Sequence, residues 1–343
     1  MLETALTSGF TSVGMDVFLL GPIPTPAVGM LTRSMRAELG VMITASHNNY
    51  EDNGIKFFGH DGFKLSDTVE QEIELLISKE VKLKTSNLIG RVKRIDEVLG
   101  RYIEFVKTSV PRNLRLNGLK VVIDCANGSA YKCAPQVLWE LGAKVIPFAV
   151  EPNGYNINLN CGSTNTKEAA KLVRKHKADI GIAFDGDFDR CFFFDEFGVF
   201  VPGEYIVGLL AESFLLKEPG SKIIHDARVV WNIQDIVKNN NGFSIASVTG
   251  HAFIKKSMRE NNAIYGGEMS AHHYFRDFSY CDSGMIPWLL IVELMGKTGK
   301  KLSELIKDRK EKFPSSGEIN FTISQPKKIF EKVLKYFDGQ YLS

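Results

Sequence analysis

Short runs of β-branched and aromatic residues alternate with helical apolar spacing along most of the chain, which predicts an α/β fold with mixed or parallel sheets. In the first stretch Val17 to Leu20 reads as a strand, Pro26 to Leu39 as a helix behind Thr25, and Gly40 to Thr44 and Gly54 to Phe58 as two further strands. A helix over Ser66 to Ser78 has Ser66 as N-cap and acidic residues in its early turns, where the helix dipole favours them. The polar stretch Lys79 to Arg94 has little apolar periodicity and reads as a linker or crossover. A new unit begins near Leu116, with strands Lys120 to Asp124, Lys144 to Phe148 and Ile180 to Phe184 and helices Ala130 to Leu141 and Thr166 to Lys175. After a helix over Tyr205 to Leu216, the segment Lys217-Glu-Pro-Gly220 reads as a boundary. The pattern restarts with strand Lys222 to His225, helix Trp231 to Lys238, strand Phe243 to Val248, helix Phe253 to Asn261 and strand Ala263 to Tyr265. Met285 to Met295, interrupted by Glu293, reads as a buried helix. Three similar units in series suggest duplication, although no repeat is visible in the sequence.

With 343 residues, 44% of them apolar and 24% charged, the chain has the composition of a globular protein of two or three domains. Lys plus Arg number 42 against 40 Asp plus Glu. No global bias therefore points to nucleic acid or a membrane surface, and any anionic partner must be bound locally. The five cysteines, Cys125, Cys133, Cys161, Cys191 and Cys281, include no CxxC pair, so neither a disulfide framework nor a zinc knuckle is indicated and a cytoplasmic location is expected. No apolar run reaches membrane-spanning length, and Met1 to Ala5 lacks the basic start of a signal peptide. Nothing in the sequence sets an oligomeric state.

Three clusters carry candidate chemistry. The first, Asp185-Gly-Asp-Phe-Asp-Arg190, follows an apolar strand directly. Converging carboxylates repel by ~4 kcal/mol per pair at about 4 Å and an effective dielectric near 20, so the triplet calls for a cation. Oxygen-only ligands favour Mg²⁺ or Ca²⁺. Asp185, Asp187, Asp189 and Glu196 have EF-hand spacing, but Arg190 stands where that loop needs glycine, and Cys191 to Phe194 is strand-like. The competing reading is a solvated acidic turn. The second cluster is Thr44-Ala-Ser-His-Asn-Asn49, also after an apolar strand, with Lys56 ten residues beyond Ser46. Ser46 reads as a nucleophile or phosphate carrier whose charge His47 and Lys56 offset, or as a capping residue in a turn. A serine hydrolase would need a G-x-S-x-G elbow, which is lacking. The third cluster is Gly266-Gly-Glu-Met-Ser-Ala-His-His273. Glu268, Ser270 and His272 alternate, so an extended loop would present all three on one side, a set suited to sugar hydroxyls. The alternative is a His-rich turn packed on Tyr274, Phe275 and Phe278. Lys255, behind Thr249-Gly-His251 at a helix start, could help hold a phosphate. Gly296-Lys-Thr298 is a helix end and not a P-loop, because Ile291 replaces the required glycine and a helix precedes it.

Together the clusters resemble the α-D-phosphohexomutase family, whose members move phosphate between the C6 and C1 oxygens of a hexose. Thr44-Ala-Ser-His-Asn48 resembles its phosphoserine loop, Asp185 to Arg190 its metal loop and Gly267 to His272 its sugar loop. The resemblance implies that Ser46 carries the phosphoryl group and that Asp185, Asp187 and Asp189 bind Mg²⁺ together with a phosphoserine oxygen. It implies further that His47 and Lys56 assist proton and phosphate handling, that Arg190 orients the phosphoserine region, and that Glu268, Ser270, His272 and Lys255 bind the sugar phosphate. A hexose 1,6-bisphosphate is the implied activator. The implied domains are 1–109 for phosphoserine, 110–216 for metal, 217–318 for sugar, and 319–343 as the start of a phosphate-binding domain. On this reading the chain is incomplete at both ends: it opens inside the first domain and stops soon after Glu318-Ile-Asn320, before the last domain's phosphate loop. A chain that binds sugar phosphate without turnover is therefore a rival to a mutase. Gly9 to Gly14, Pro22 to Pro26 and Asp52 to Lys56 look most like phosphoglucosamine mutase. Met269 and Ala271 in the sugar loop look more like phosphomannomutase, so mannose phosphate is the expected substrate and glucosamine phosphate the alternative.

Overall fold

In the computed structural model, which describes residues 1–317, 319 and 321–338, the first region of the chain forms two separate two-stranded sheets. Helix α1 (Leu2–Ser12) leads into β1 (Val17–Leu19), α2 (Thr25–Ser34), β2 (Leu39–Ile43), β3 (Ile55–Gly59), α3 (Asp67–Leu76), β4 (Val92–Arg94) and α4 (Val98–Lys107). β1 pairs with β4 in parallel, and β2 pairs with β3 as an antiparallel hairpin. Between the two sheets lies a cavity of about 1030 Å³ lined by Leu20, Val28, Leu31, Val41, Ile43 and their neighbours.

Several elements here differ from the sequence expectation. The helix expected to reach Leu39 stops at Ser34. Arg36 turns left-handed at φ 56°, and Ala37 N–H closes on Thr32 O at 3.0 Å, a Schellman stop made without glycine. The expected linker Lys79 to Arg94 ends in strand β4, whose three exposed residues carry no alternation to betray it. Helix α4 lies in a stretch to which the reading assigned no element, although Val98, Tyr102, Ile103 and Val106 are its buried face at helical spacing. The α3 cap is as expected, with Ser66 Oγ accepting from Val69 N–H at 3.4 Å.

The next two regions share one design. β5 (Lys120–Asp124), α5 (Cys133–Glu140), β6 (Lys144–Phe148), α6 (Thr166–His176), β7 (Ile180–Phe184), β8 (Cys191–Phe194) and β9 (Phe200–Val201) give a sheet ordered β6-β5-β7-β8-β9. After α7 (Gly203–Lys217), β10 (Lys222–Asp226), α8 (Val230–Asn239), β11 (Phe243–Ser247), α9 (His251–Asn261), β12 (Tyr265–Gly267), β13 (His273–Phe275) and β14 (Cys281–Asp282) give β11-β10-β12-β13-β14. In each sheet the opening strand, β5 or β10, pairs in parallel on both sides; among the described residues the first region has no such strand. β12 falls two residues later than expected, on Gly266 and Gly267. A Cβ on either would meet Met258 Sδ or Val207 Cγ at 2.7 Å, so close packing overrides low strand propensity.

α10 (Met285–Thr298) is buried along most of its length and ends at Gly299 with φ 66°, so Gly296 to Thr298 is a helix end as expected. α11 (Leu302–Lys312) closes the unit Met1–Phe313. The second unit, Pro314–Ser343, holds α12 (Pro326–Tyr336). Glu318, Asn320 and residues 339–343, on which the expected last domain partly rests, lie outside the described residues. All five cysteines are free and buried. No helix among the described residues is long and apolar enough to cross a membrane.

Candidate active site

The hairpin β2–β3 ends in the loop that carries Ser46. Thr44 N–H closes the hairpin on Gly54 O at 2.9 Å. Ser46 itself is left-handed, at φ 54°, with its N–H on Thr44 Oγ1 at 2.9 Å; such strain in a non-glycine residue is concentrated at functional sites. Its hydroxyl donates to Asp185 Oδ2 at 3.0 Å. The serine and aspartate loops, 139 residues apart in sequence, therefore face each other across one crevice.

Strand β7, Ile-Gly-Ile-Ala-Phe, is buried throughout, between its parallel partner β5 and its antiparallel partner β8. Its carboxyl end delivers Asp185, Asp187 and Asp189, all buried, with one oxygen from each within 4.8 Å of the others. Phe188, left-handed at φ 67°, tucks its ring 3.9 Å from that of Phe184 and so turns the flanking carboxylates toward the crevice. Lys56 Nζ bridges Asp187 at 2.7 Å and Asp189 at 3.0 Å. Thr25, at the start of α2, donates its hydroxyl to Asp187 Oδ2 at 2.7 Å, and Arg190 Nε lies 3.5 Å from Asp185 Oδ2.

Burial and the neighbouring Asp189 and Asp187 raise the Asp185 pKa, and burial with Asp189 raises that of Asp187. Burial acts the same way on Asp189, but Lys56, His272 and Arg190 outweigh it and hold Asp189 ionised. For Lys56, burial opposes the charge, yet Asp189 and Asp187 keep the ammonium above the usual lysine range. Asp187 Oδ1 is buried without a partner. An orphaned carboxylate oxygen beside two more, with Ser46 Oγ at hand, is a donor set that fits a hard divalent ion. His47 is exposed, and partial burial followed by Arg190 lowers its pKa, leaving a neutral imidazole at pH 7.

The third cluster is a tight turn, contrary to the extended loop expected. Ala271 N–H bonds Glu268 O at 3.1 Å, Glu268 N–H bonds His272 O at 3.0 Å, and Ala271 has φ 67°. Ser270 sits at the tip of this turn, while Glu268 and His272 are drawn together at its base. Glu268 Oε2 takes Tyr274 Oη at 2.5 Å and His272 Nδ1 at 3.2 Å; Oε1 accepts from Gly250 N–H at 2.9 Å. Burial opposes ionisation of Glu268, but these donors bring its pKa down to about 2. His272 Nε2 reaches Asp189 Oδ1 at 3.2 Å. Burial opposes its charge too, yet Asp189 and Glu268 push the His272 pKa up to about 10. His272 Nε2 also lies 3.2 Å from Arg190 Nε, so the protonated ring donates to Asp189 whereas the neutral ring accepts from the guanidinium, and the surrounding carboxylates favour the protonated form. The backbone joins the two loops through Cys191 N–H on Ala271 O at 3.1 Å. Lys255 is buried with its ammonium on Asp282 Oδ1 at 2.7 Å.

Sequence comparison matches three profiles described as phosphoglucomutase/phosphomannomutase alpha/beta/alpha domains I, II and III, over residues 1–84, 100–198 and 202–313. A phosphoglucosamine mutase of Cereibacter sphaeroides is 51% identical over 311 residues, covering 89% of this chain and 69% of that protein. The chain belongs to the α-D-phosphohexomutase family. Among solved structures, a phosphoglucomutase/phosphomannomutase family protein of Burkholderia thailandensis superposes with TM-score 0.79 at 25% identity, covering 89% of this chain and 68% of that one. N-acetylphosphoglucosamine mutase of Aspergillus fumigatus, solved with GlcNAc-6P and magnesium, shares the fold at TM-score 0.54 and 18% identity over 82% of this chain and 76% of its own.

The site thus brings Ser46, Lys56, the three aspartates, Arg190 and His272 together. It also contains members that sequence reasoning missed. Thr25 had a signal, since it opens a helix within Pro22-Ile-Pro-Thr-Pro26. Tyr274 entered the sequence reading only as packing for the turn, whereas its hydroxyl binds Glu268; Asp282 had no signal, because its partner Lys255 is remote in sequence.

Proposed function

We propose that the chain interconverts glucosamine 6-phosphate and glucosamine 1-phosphate through a phosphorylated Ser46. The observation that carries the substrate is the 51% identity to a phosphoglucosamine mutase over 311 residues. It favours the alternative over the mannose phosphate expected from the sugar loop. The structure supplies a reason for discounting one of the two residues behind that expectation. Ala271 is 2% exposed and left-handed, so alanine against glycine at this position concerns backbone conformation more than sugar contact.

In the proposed reaction the Oγ–P bond of phospho-Ser46 breaks as a bond forms from phosphorus to the free C1 or C6 oxygen of the bound sugar phosphate. The sugar hydroxyl's proton passes to the neutral imidazole of His47 and from it to the departing Ser46 Oγ, which ends as a free hydroxyl; the bisphosphate, after reorienting, returns its other phosphoryl group to that hydroxyl by the same steps in reverse. Asp185, Asp187 and Asp189 are assigned to Mg²⁺, which when bound neutralises charge on the transferring phosphoryl oxygens. Lys56 and Arg190 supply fixed positive charge on the same side, already oriented before transfer begins. Glu268, His272 and Ser270 are assigned to the sugar and Lys255 to its phosphate, with glucosamine 1,6-bisphosphate as activator. The proposed division of labour follows the sheets: 1–109 presents Ser46, 110–216 the aspartates, and 217–318 the sugar turn.

A coupled assay with the bisphosphate present tests this reading. Turnover of glucosamine 6-phosphate should exceed that of mannose 6-phosphate, and Ser46→Ala should lower it on the order of 10⁴-fold or more. Unchanged turnover by Ser46→Ala would remove the phosphoserine. Preference for mannose phosphate would restore the first substrate reading, and binding without product would favour a sugar-phosphate-binding protein.

A further inference from the structure

We propose that Asn158 is a positioning residue that holds the Ser46 loop against the second region, beside the aspartate loop, whether or not the serine is phosphorylated. The inference rests on the reading of Ser46 as the phosphoryl carrier. Asn158 belongs to the segment between β6 and α6, and its own N–H is fixed to Ala126 O at 2.9 Å. Its side-chain Nδ2 donates to Ser46 O at 3.1 Å and to Asn48 O at 2.7 Å, so both amide protons go to backbone carbonyls of the loop. Turning the amide over would set Oδ1 against the same two oxygens, so the orientation is unique.

The contact uses a residue type that adopts its backbone conformation readily, and it leaves one polar atom unsatisfied. Asn158 is left-handed at φ 57°, and its Oδ1 is buried without a partner. An unsatisfied buried acceptor has lost its hydration without gaining a partner. The approach is also tight: a Cβ on Gly186 would meet Ser46 O at 2.6 Å, Ile157 Cδ1 at 2.8 Å and Asn158 Nδ2 at 3.0 Å. Three segments converge on one backbone carbonyl, and glycine leaves the space for them.

The chemistry of the loop explains why a neutral clamp is needed. The direct bond from the serine loop to the aspartate loop, Ser46 Oγ to Asp185 Oδ2, uses the hydroxyl proton. Esterification removes that proton and puts a phosphoryl group of charge about −1.5 to −2 beside a carboxylate. Attraction between the loops then depends on cations, whereas the two bonds from Asn158 end on backbone carbonyls that phosphorylation leaves unaltered. Near-attack geometry tolerates little drift, and a displacement of about 1 Å can cost on the order of 10²-fold in rate.

The test uses the full chain. Asn158→Ala should lower kcat about 10²-fold while KM for glucosamine 6-phosphate changes less than about threefold, because the residue touches no substrate. Asn158→Asp should be worse, since its carboxylate faces two carbonyl oxygens. An unchanged kcat in Asn158→Ala, with Ser46→Ala inactive, overturns the clamp and spares the phosphoserine; turnover by Ser46→Ala overturns the phosphoserine itself. Should the variants fail to fold, hydrogen exchange of the amides of residues 44–50 in the unaltered protein decides. Equal protection before and after treatment with glucosamine 1,6-bisphosphate, with Ser46 phosphorylation verified by mass, supports the clamp, and loss of protection on phosphorylation overturns it.

Discussion

The two loops that meet at the site stand on very different supports. The aspartate loop caps β7, a strand buried along its whole length in the middle of a five-stranded sheet, and is locked by Phe184 against Phe188. The serine loop hangs from a two-stranded hairpin whose sheet is bordered by the open cavity. Only Gly40 in β2 and Phe58 in β3 are buried. One side of the site is thus preorganised by its own sheet, and the other takes its position from its neighbours. Thr25 on Asp187, Lys56 on Asp187 and Asp189 and Asn158 on the loop carbonyls are all ties between the two sides. Precision in a catalytic site comes from supporting contacts as much as from the reacting groups.

The largest effect that would sharpen this contrast is expected on the rigid side. Asp187→Asn should cost on the order of 10³-fold in turnover and shift the Mg²⁺ titration, because a charged donor of the triplet is lost and the Lys56 tie to it is weakened. An unaltered metal titration would remove Asp187 from the ion site.

A smaller effect tests the junction. Gly186→Ala forces a methyl against Ser46 O and should lower turnover about 10²-fold with a stability loss of ~1–3 kcal/mol. Gly100→Ala, which meets nothing within 4 Å inside α4, should instead stabilise by roughly 0.5–1 kcal/mol. Denaturant melts and activity on the two variants separate crowding of the junction from a general intolerance of the extra methyl.

The last effect concerns stability alone and is a pH slope in the support of Asn158. Asp124 accepts from Ala126 N–H at 3.0 Å and Gly162 N–H at 2.7 Å, anchoring the segment that presents the clamp. Burial pushes its pKa up to about 6 from 3.8, so the folded chain holds this proton more tightly than the unfolded chain does. Its contribution is complete below the unfolded value and declines as pH rises to about 6, by roughly 2–3 kcal/mol. Asp124→Asn should flatten that part of the stability-versus-pH curve, and an unchanged slope would assign it to other groups.

Much of the architecture was legible where apolar runs are continuous. β5, β6, β7 and β8 fall where the β-branched and aromatic residues place them; β5 and β7, in the sheet interior, are apolar on both faces because both faces are buried. Legibility failed where conformation is set from outside the segment. Val92–Arg94 is a strand only because β1 lies beside it, and α2 stops at an arginine in a left-handed turn that glycine or asparagine would have advertised. In the site, Ser46 and the aspartates were legible because each cluster is local in sequence. Asn158 was not, because its partners lie more than a hundred residues away, and the alternation of Glu268, Ser270 and His272 did not reveal that Ala271 closes a tight turn between them.

The placement of the thiols makes the molecule report on itself. Cys125, Cys133, Cys161 and Cys191 are sealed within or beside the second sheet, and burial pushes each of these thiols up. Cys281, on β14, instead points its Sγ at Gly62 O of the first region, 3.6 Å away. Alkylation under native conditions should therefore register at Cys281 when the serine-bearing region swings clear, and at the other four only when the second sheet melts.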